Sequence, residues 1–251
     1  MISTLHVARL KAWGAHGFTA TGVVLAFLAT LALLENSPKA CLLWLGLALV
    51  VDGVDGSLAR RVNVSTVLPS FDGSVLDLVI DYLTYVFIPA LFIYRYIDLP
   101  DFTHLFTVSV ILVSSLFCFC NVNMKSKDNY FVGFPAAWNV VVLYFFVLQT
   151  GPLTNLLTIA FLCVLTFIPI KFVHPLRVAH WREVTIPMTV LWAAMSLSLI
   201  IQAKDRSDWG MVEDVQLWVW VAASLYFLFI SLYRTFIQKD PESDHDGEHA
   251  A

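Results

Sequence analysis

Long apolar runs follow one another along this chain, each close to the length of a membrane crossing and separated by short polar breaks. A helix needs about 20 apolar residues to span the hydrocarbon core of a bilayer. In that core no water satisfies backbone N–H and C=O groups, so each run must close its own hydrogen bonds as a helix. The runs lack the apolar/polar alternation of an outer-membrane barrel strand. The predicted fold class is therefore all-α, a polytopic integral membrane bundle of about eight transmembrane helices. The spans are read at 16–34, 40–60, 71–96, 104–123, 134–150, 153–172, 184–203 and 215–237. Composition agrees. The chain is 59% hydrophobic and 14% charged, with mean hydropathy +0.76, against about 45–50% apolar and about 25% charged in soluble domains.

Little is left for a soluble domain. Residues 1–15 are read as an N-terminal interfacial helix, with His6, Arg9 and Lys11 toward lipid head groups. No small-residue cleavage site follows the first apolar run, so that run is expected to be a retained span. Residues 16–237 form the transmembrane domain. Residues 238–251 are acidic, lack large apolar side chains beyond the span and are expected to be disordered. The four cysteines, Cys41, Cys118, Cys120 and Cys163, all lie in apolar runs and form no CxxC pair. They are read as small apolar filler.

Basic residues orient the bundle, because Lys and Arg collect on the cytoplasmic side. With the N-terminus inside, Arg9, Lys11, Arg60, Arg61, Lys125, Lys127, Lys171, Arg177, Arg182, Arg234 and Lys239 fall inside. Only Lys39, Arg95, Lys204 and Arg206 fall outside. That asymmetry favours eight spans with both termini cytoplasmic.

Against this background four aspartates are out of place. Asp52, Asp55, Asp77 and Asp81 lie in or at the ends of two consecutive apolar stretches. A carboxylate at the centre of a membrane helix costs about 2.5–3.5 kcal/mol on insertion scales. The spacing organises them. Asp52, Asp55, Gly56, Ala59 and Arg60 follow helical steps of three and four, so they share one face. Gly73, Asp77 and Asp81 share a face of the next span. A short linker makes the two spans antiparallel neighbours whose faces can meet. Converging carboxylates bind hard divalent cations through oxygen, small residues admit a ligand close to backbone, and an arginine beside them points to phosphate. The reading is a site for a Mn2+- or Mg2+-bound pyrophosphate.

The order D-x2-D-G-x2-A-R … G-x3-D-x3-D resembles the signature of the CDP-alcohol phosphatidyltransferase family, matched here by Asp52, Asp55, Gly56, Ala59, Arg60, Gly73, Asp77 and Asp81. The spacer 61–72 is longer than most of the family carries, Gly53 follows the first aspartate, and the spans outnumber the usual core. These features, and the segment FVGFPAAWN at 131–139, resemble the bacterial subgroup that condenses CDP-diacylglycerol with free choline and releases CMP. The resemblance implies two divalent ions on Asp52, Asp55, Asp77 and Asp81, with Asp81 also the general base. It implies a nucleotide and phosphate site at Gly56, Ala59, Arg60 and Gly73, with Thr19 as an additional position. It further implies CDP-diacylglycerol and choline as substrates, a homodimer, and a bacterial inner membrane location with the site facing the cytoplasm. No nucleic-acid partner is expected.

Choline is a quaternary ammonium, held by aromatic faces and carboxylates. Tyr82, Tyr85, Tyr130, Phe131 and Trp138 are the candidates, although aromatics also belt the interfaces of any membrane protein. Arg177 and Arg182, in the loop 171–183, are candidates for a lipid phosphate. His174 and His180 in the same loop are weaker metal candidates. Asn121 and Asn123 are read as caps or head-group contacts. Two alternatives stand beside this reading. One is the same chemistry with serine, glycerol phosphate or inositol as the alcohol. The other is an ion-coupled transporter, which predicts acids spread over several helices rather than gathered on two.

Overall fold

The computed structural model describes residues 2–121, 130–173, 175, 181–203 and 210–237. The tail 238–251 lies outside these residues, as do Asn123, Arg177, His174 and His180.

The first helix, α1, runs Ile2–Leu34 without a break. Residues 15 and 16 lie within it, and Ala12 and Ala15 are buried and pack against Val64 and Leu68. The helix stops at Asn36, whose φ of 55° is left-handed. The Ser37 N–H returns to the Ala32 carbonyl (2.8 Å) and the Asn36 N–H to that of Leu33 (3.2 Å), the paired closure of a Schellman turn. Pro38, with its preset φ, then opens α2 (Pro38–Arg61). The turn is tight, and α1 packs along α2 over much of its length.

The spacer after α2 holds a single helical turn, α3 (Val64–Val67). Asp72 caps the next helix, α4 (Gly73–Asp81), accepting from the Ser74 and Val75 N–H groups at 2.9 and 3.3 Å. The helix then widens into a π-helical segment, Tyr82–Phe87, and resumes as α5 (Ile88–Tyr96). Further on come α6 (His104–Cys120), β1 (Phe131–Val132), α7 (Trp138–Leu148), α8 (Pro152–Leu165), β2 (Lys171–Phe172), α9 (Arg182–Gln202) and α10 (Met211–Phe236). The strands pair antiparallel, Phe131 opposite Phe172. Gly133, φ 88°, sits so close to Thr166 that an added Cβ would lie 2.4 Å from its carbonyl oxygen.

Among the described residues five helices are long and apolar enough to cross a membrane: Thr4–Leu34, Pro38–Arg61, Gly73–Tyr96, Arg182–Gln202 and Met211–Phe236. The other three expected spans correspond to shorter apolar helices, α6, α7 and α8. The shortening has a local cause. Residues 131–137 are extended or irregular ahead of α7, and the chain after Leu165 turns into β2 instead of continuing α8.

The core lies between α5, α6, α7 and α10, where Phe92, Ile93, Ile111, Trp138, Val142 and Trp220 are fully buried. Several polar groups inside it are paired across helices. Trp138 Nε1 donates to Ser115 Oγ (2.9 Å), Trp220 Nε1 to Ser196 Oγ (2.8 Å), and Tyr144 Oη to Ser224 Oγ (2.6 Å) while accepting from Trp192 Nε1 (3.1 Å). Lipid offers no competing water, so such pairs fix which helices meet, each contributing about 0.6 kcal/mol on average. Large apolar side chains such as Phe27, Val113, Phe161, Val190 and Trp218 stay exposed on the outside, as a lipid-facing surface requires.

Candidate active site: a carboxylate triad beneath α1

Asp52 and Asp55 stand one turn apart on α2, and Asp77 projects from α4. Asp55 is buried, and Asp52 and Asp77 are half-buried. Each offers a carboxylate oxygen, and the three oxygens lie within 4.8 Å of one another. Helix α1 packs against both α2 and α4. The carboxylates therefore meet across a cleft that α1 covers. Its lining is Thr19 and Gly22 from α1, Ala48 and Val51 with the two aspartates of α2, Asp77, Ile80 and Asp81 of α4, and Thr84.

Three like charges at this spacing repel by about 3 kcal/mol per pair at an effective dielectric near 20. A divalent cation removes that repulsion, and an all-carboxylate oxygen set is what a hard ion takes. The donor set thus fits a divalent metal. Asp52 has a further partner: Tyr85 Oη donates to its Oδ2 at 2.7 Å. Tyr85 lies in the π-helical segment, one helical turn beyond Asp81. A phenol in this position fixes the carboxylate's orientation from behind.

The other expected site residues divide into two groups. Asp81 lines the cleft but lies outside the triad. Gly56 is half-buried on the face that carries Asp55. Ala59 packs on the small cluster of Ala12, Ala15, Val64 and Leu68. Arg60 is exposed at the end of α2, with Nη2 on Ser57 Oγ at 3.1 Å. Gly73 opens α4 beneath the His16 ring, whose Cε1 would be 2.6 Å from an added Cβ.

Most of the aromatic candidates are placed elsewhere. Tyr82 turns toward α6, donating to the Leu112 carbonyl (3.1 Å) and meeting Phe119 edge-on. Trp138 is a core side chain, fully buried and held by Ser115. Tyr130 is buried beneath the Arg234 guanidinium, 5.6 Å from ring centroid to Cζ. Phe131 is half-buried in β1. Arg182 is exposed at the start of α9, and Asn121 caps the end of α6. Sequence reasoning missed His16, a buried imidazole on the α1 face that leads to Thr19, and missed that Tyr85 serves Asp52. A histidine inside an apolar run was the available signal for the first.

A sequence model of CDP-alcohol phosphatidyltransferases matches residues 14–227. The chain belongs to the CDP-alcohol phosphatidyltransferase family. Like other members of that family, it is an enzyme of phosphatidyl-group transfer. Three relatives illustrate its place in the family. It is 58% identical to a phosphatidylcholine synthase of Pseudomonas aeruginosa over 93% of this chain and 96% of that one. It is 40% identical to the phosphatidylcholine synthase of Mesorhizobium japonicum over 77% and 72% of the two chains. It is 30% identical to that of Borreliella burgdorferi over 91% and 94%. The family match covers α2, α3 and α4 entirely, so the triad and its cover lie within the CDP-alcohol phosphatidyltransferase region.

Proposed function

We propose that this chain is a phosphatidylcholine synthase, transferring the phosphatidyl group of CDP-diacylglycerol to choline and releasing CMP. Convergence of Asp52, Asp55 and Asp77 on one point carries the reaction class. Near full-length likeness to proteins of that name supports choline as the acceptor.

Asp52, Asp55 and Asp77 would hold the divalent ions, Mn2+ or Mg2+, with Asp81 completing the set from its place in the cleft. Ions held there would supply neutralisation of the pyrophosphate and leaving-group charge. Tyr85 keeps Asp52 oriented through the reaction. Asp81 lies one turn beyond Asp77 and accepts the choline hydroxyl proton as general base. The freed oxygen attacks the phosphorus that bears diacylglycerol. The bond from that phosphorus to the CMP phosphate breaks, and CMP leaves with the electron pair near Arg60. Gly56 and Ala59 leave room for the nucleotide, and Gly73 leaves room for the His16 ring beside it. Asp81 and Tyr85 present a carboxylate and an aromatic ring to the choline ammonium. Arg182 and Arg177 draw the lipid phosphate from the membrane surface.

The same reading places eight crossings with both termini in the cytoplasm of a bacterial cell, the site facing inward, and a homodimer. Residues 2–15, the first turns of α1, then lie along the inner interface. CDP-diacylglycerol keeps its acyl chains in the bilayer while its nucleotide reaches water, and choline arrives from the water.

The test is direct. Purified protein is given CDP-diacylglycerol, Mn2+ and one labelled alcohol at a time, and CMP release is followed. Release with choline and not with serine, inositol or glycerol phosphate is expected. No CMP with any alcohol would overturn the enzyme reading.

A further inference from the structure

The long helix Gly73–Tyr96 departs from α-helical pairing in one stretch. At the end of the segment Tyr82–Phe87 the Ile88 N–H reaches the Leu83 carbonyl, five residues back instead of four. The next residue, Pro89, has no N–H to give. In an α-helix that missing donor would have served the Tyr85 carbonyl, and the proline ring would press on the same oxygen. Lipid brings no water to an orphaned carbonyl, and a local π-helical turn is one way in which a membrane helix serves it from elsewhere. The widened turn stands where Pro89 requires one.

Both flanks of the turn are fixed. Asp72 caps α4 on one side, and Phe92 and Ile93 of α5 are fully buried in the core on the other. The offset of the wide turn is therefore taken up between them. There Thr84 Oγ1 donates to the Ile80 carbonyl (3.1 Å), and both residues line the carboxylate cleft.

Two phenols show the consequence. Residues three apart lie side by side on an α-helix, yet Tyr82 and Tyr85 go to different neighbours. Tyr82 Oη donates to the Leu112 carbonyl of α6 (3.1 Å), and Tyr85 Oη donates to Asp52 Oδ2 of α2 (2.7 Å). A turn that holds more residues rotates less at each one, so it spreads two positions that an α-helix would gather. Such turns recur at functional sites.

We propose that Pro89 is a positioning residue of the carboxylate site: by withholding an N–H from Tyr85 it keeps Tyr82–Phe87 π-helical, and that turn aims the Tyr85 phenol at Asp52. The proposal rests on the reading of the triad as the metal site of a phosphatidyltransferase.

The full chain in detergent decides, with Mn2+ as the probe. Two quantities are read: the Mn2+ concentration that gives half of the thermal stabilisation by metal, and the concentration that gives half of the maximal CMP release. Pro89→Ala returns the N–H. On both measures its Mn2+ affinity is expected to fall about tenfold, as in Tyr85→Phe, while kcat at saturating Mn2+ holds within about twofold. Joining Pro89→Ala to Tyr85→Phe is expected to cost no more than either change alone, because both remove the same hydrogen bond. Lactic acid placed at position 89 makes a backbone ester that differs from the alanine variant only in lacking the N–H. It is expected to recover most of the Mn2+ affinity. Should Pro89→Ala not fold, Pro89→Gly restores the same N–H and is read in its place. Wild-type Mn2+ affinity in the folded variant overturns the proposal. Additive losses in the double variant, or an ester that behaves like alanine, overturn it equally, and each leaves the enzyme reading intact. A wild-type protein that neither gains stability from Mn2+ nor releases CMP with any alcohol overturns the enzyme reading, and this proposal with it.

Discussion

Tyr85 and Asp52 are joined by a 2.7 Å hydrogen bond from phenol to carboxylate, although they belong to different helices and are separated by 33 residues. The bond ties the π-helical segment to α2 at the point where the three carboxylates converge. Tyr85→Phe keeps the ring and removes the donor. Outer-shell partners of metal ligands are commonly worth 10–100-fold in affinity or activity. We expect the Mn2+ concentration for half-maximal CMP release to rise at least about tenfold. An unchanged metal requirement would reduce Tyr85 to packing.

Asp81 and the triad are separable. Asp81→Asn should lower turnover by about 10²–10⁴-fold, the usual contribution of a general base, while CDP binding stays within a few-fold of wild type. Full turnover in that variant would remove Asp81 from proton transfer.

Within the triad, Asp55 is the buried member. Asp55→Asn relieves like-charge repulsion in the metal-free protein, so its Tm in chelator should match or exceed wild type. The same change should abolish stabilisation by Mn2+. Thermal unfolding with and without metal reads both effects, and a Tm that still rises with Mn2+ would place the ion elsewhere.

Gly73 and His16 should be coupled. Gly73→Ala puts a methyl into the imidazole's space and is expected to lower Tm. His16→Ala in the same chain should recover much of that loss, since the clash needs both side chains. Additive losses in a double-mutant cycle would show that Gly73 is required for another reason.

Asp72 carries a pH dependence. Its carboxyl is held below the usual carboxylate range by the Ser74 hydroxyl first, then by the Val75 and Ser74 N–H groups. A depressed folded-state pKa means that the cap stabilises fully above the unfolded value, about pH 4. The contribution is lost as pH falls through the lower folded value. Asp72→Ala should therefore unfold earlier than wild type at pH 7, with the gap closing in strong acid. Asp72→Ser should keep the cap without that pH dependence. A gap of constant size down to acid would refute the carboxylate's role.

Much of the fold could be read from residue order. Apolar length alone located the five long helices. Helical phase brought Asp52 and Asp55 to one face and Asp77 opposite them, so the triad was legible before any coordinates. What escaped notice depends on contacts distant in sequence or on backbone register. Nothing in Tyr82–Phe87 announces a π-helical segment, since its side chains suit an α-helix equally well. The pairing of Phe131 with Phe172 joins two-residue strands forty positions apart, too short to leave an alternating pattern. Trp138 stands among the choline candidates because core and exposed tryptophans have the same sequence context; Ser115 and the packing around it decide. His16 was hidden because its neighbours, Phe71 and Gly73, arrive by way of the folded spacer.

Every residue that lines the cleft falls between Thr19 and Thr84. The catalytic chamber is thus encoded in the first third of the chain and complete in sequence before α6 begins. During synthesis its walls enter the membrane first, as a tight α1–α2 hairpin followed by α4. Helices α6 to α10 arrive later as buttress. On the proposed function, metal and nucleotide binding both fall to the early part of the chain. Truncation or damage beyond α5 falls on the support of the chamber and leaves its lining in place.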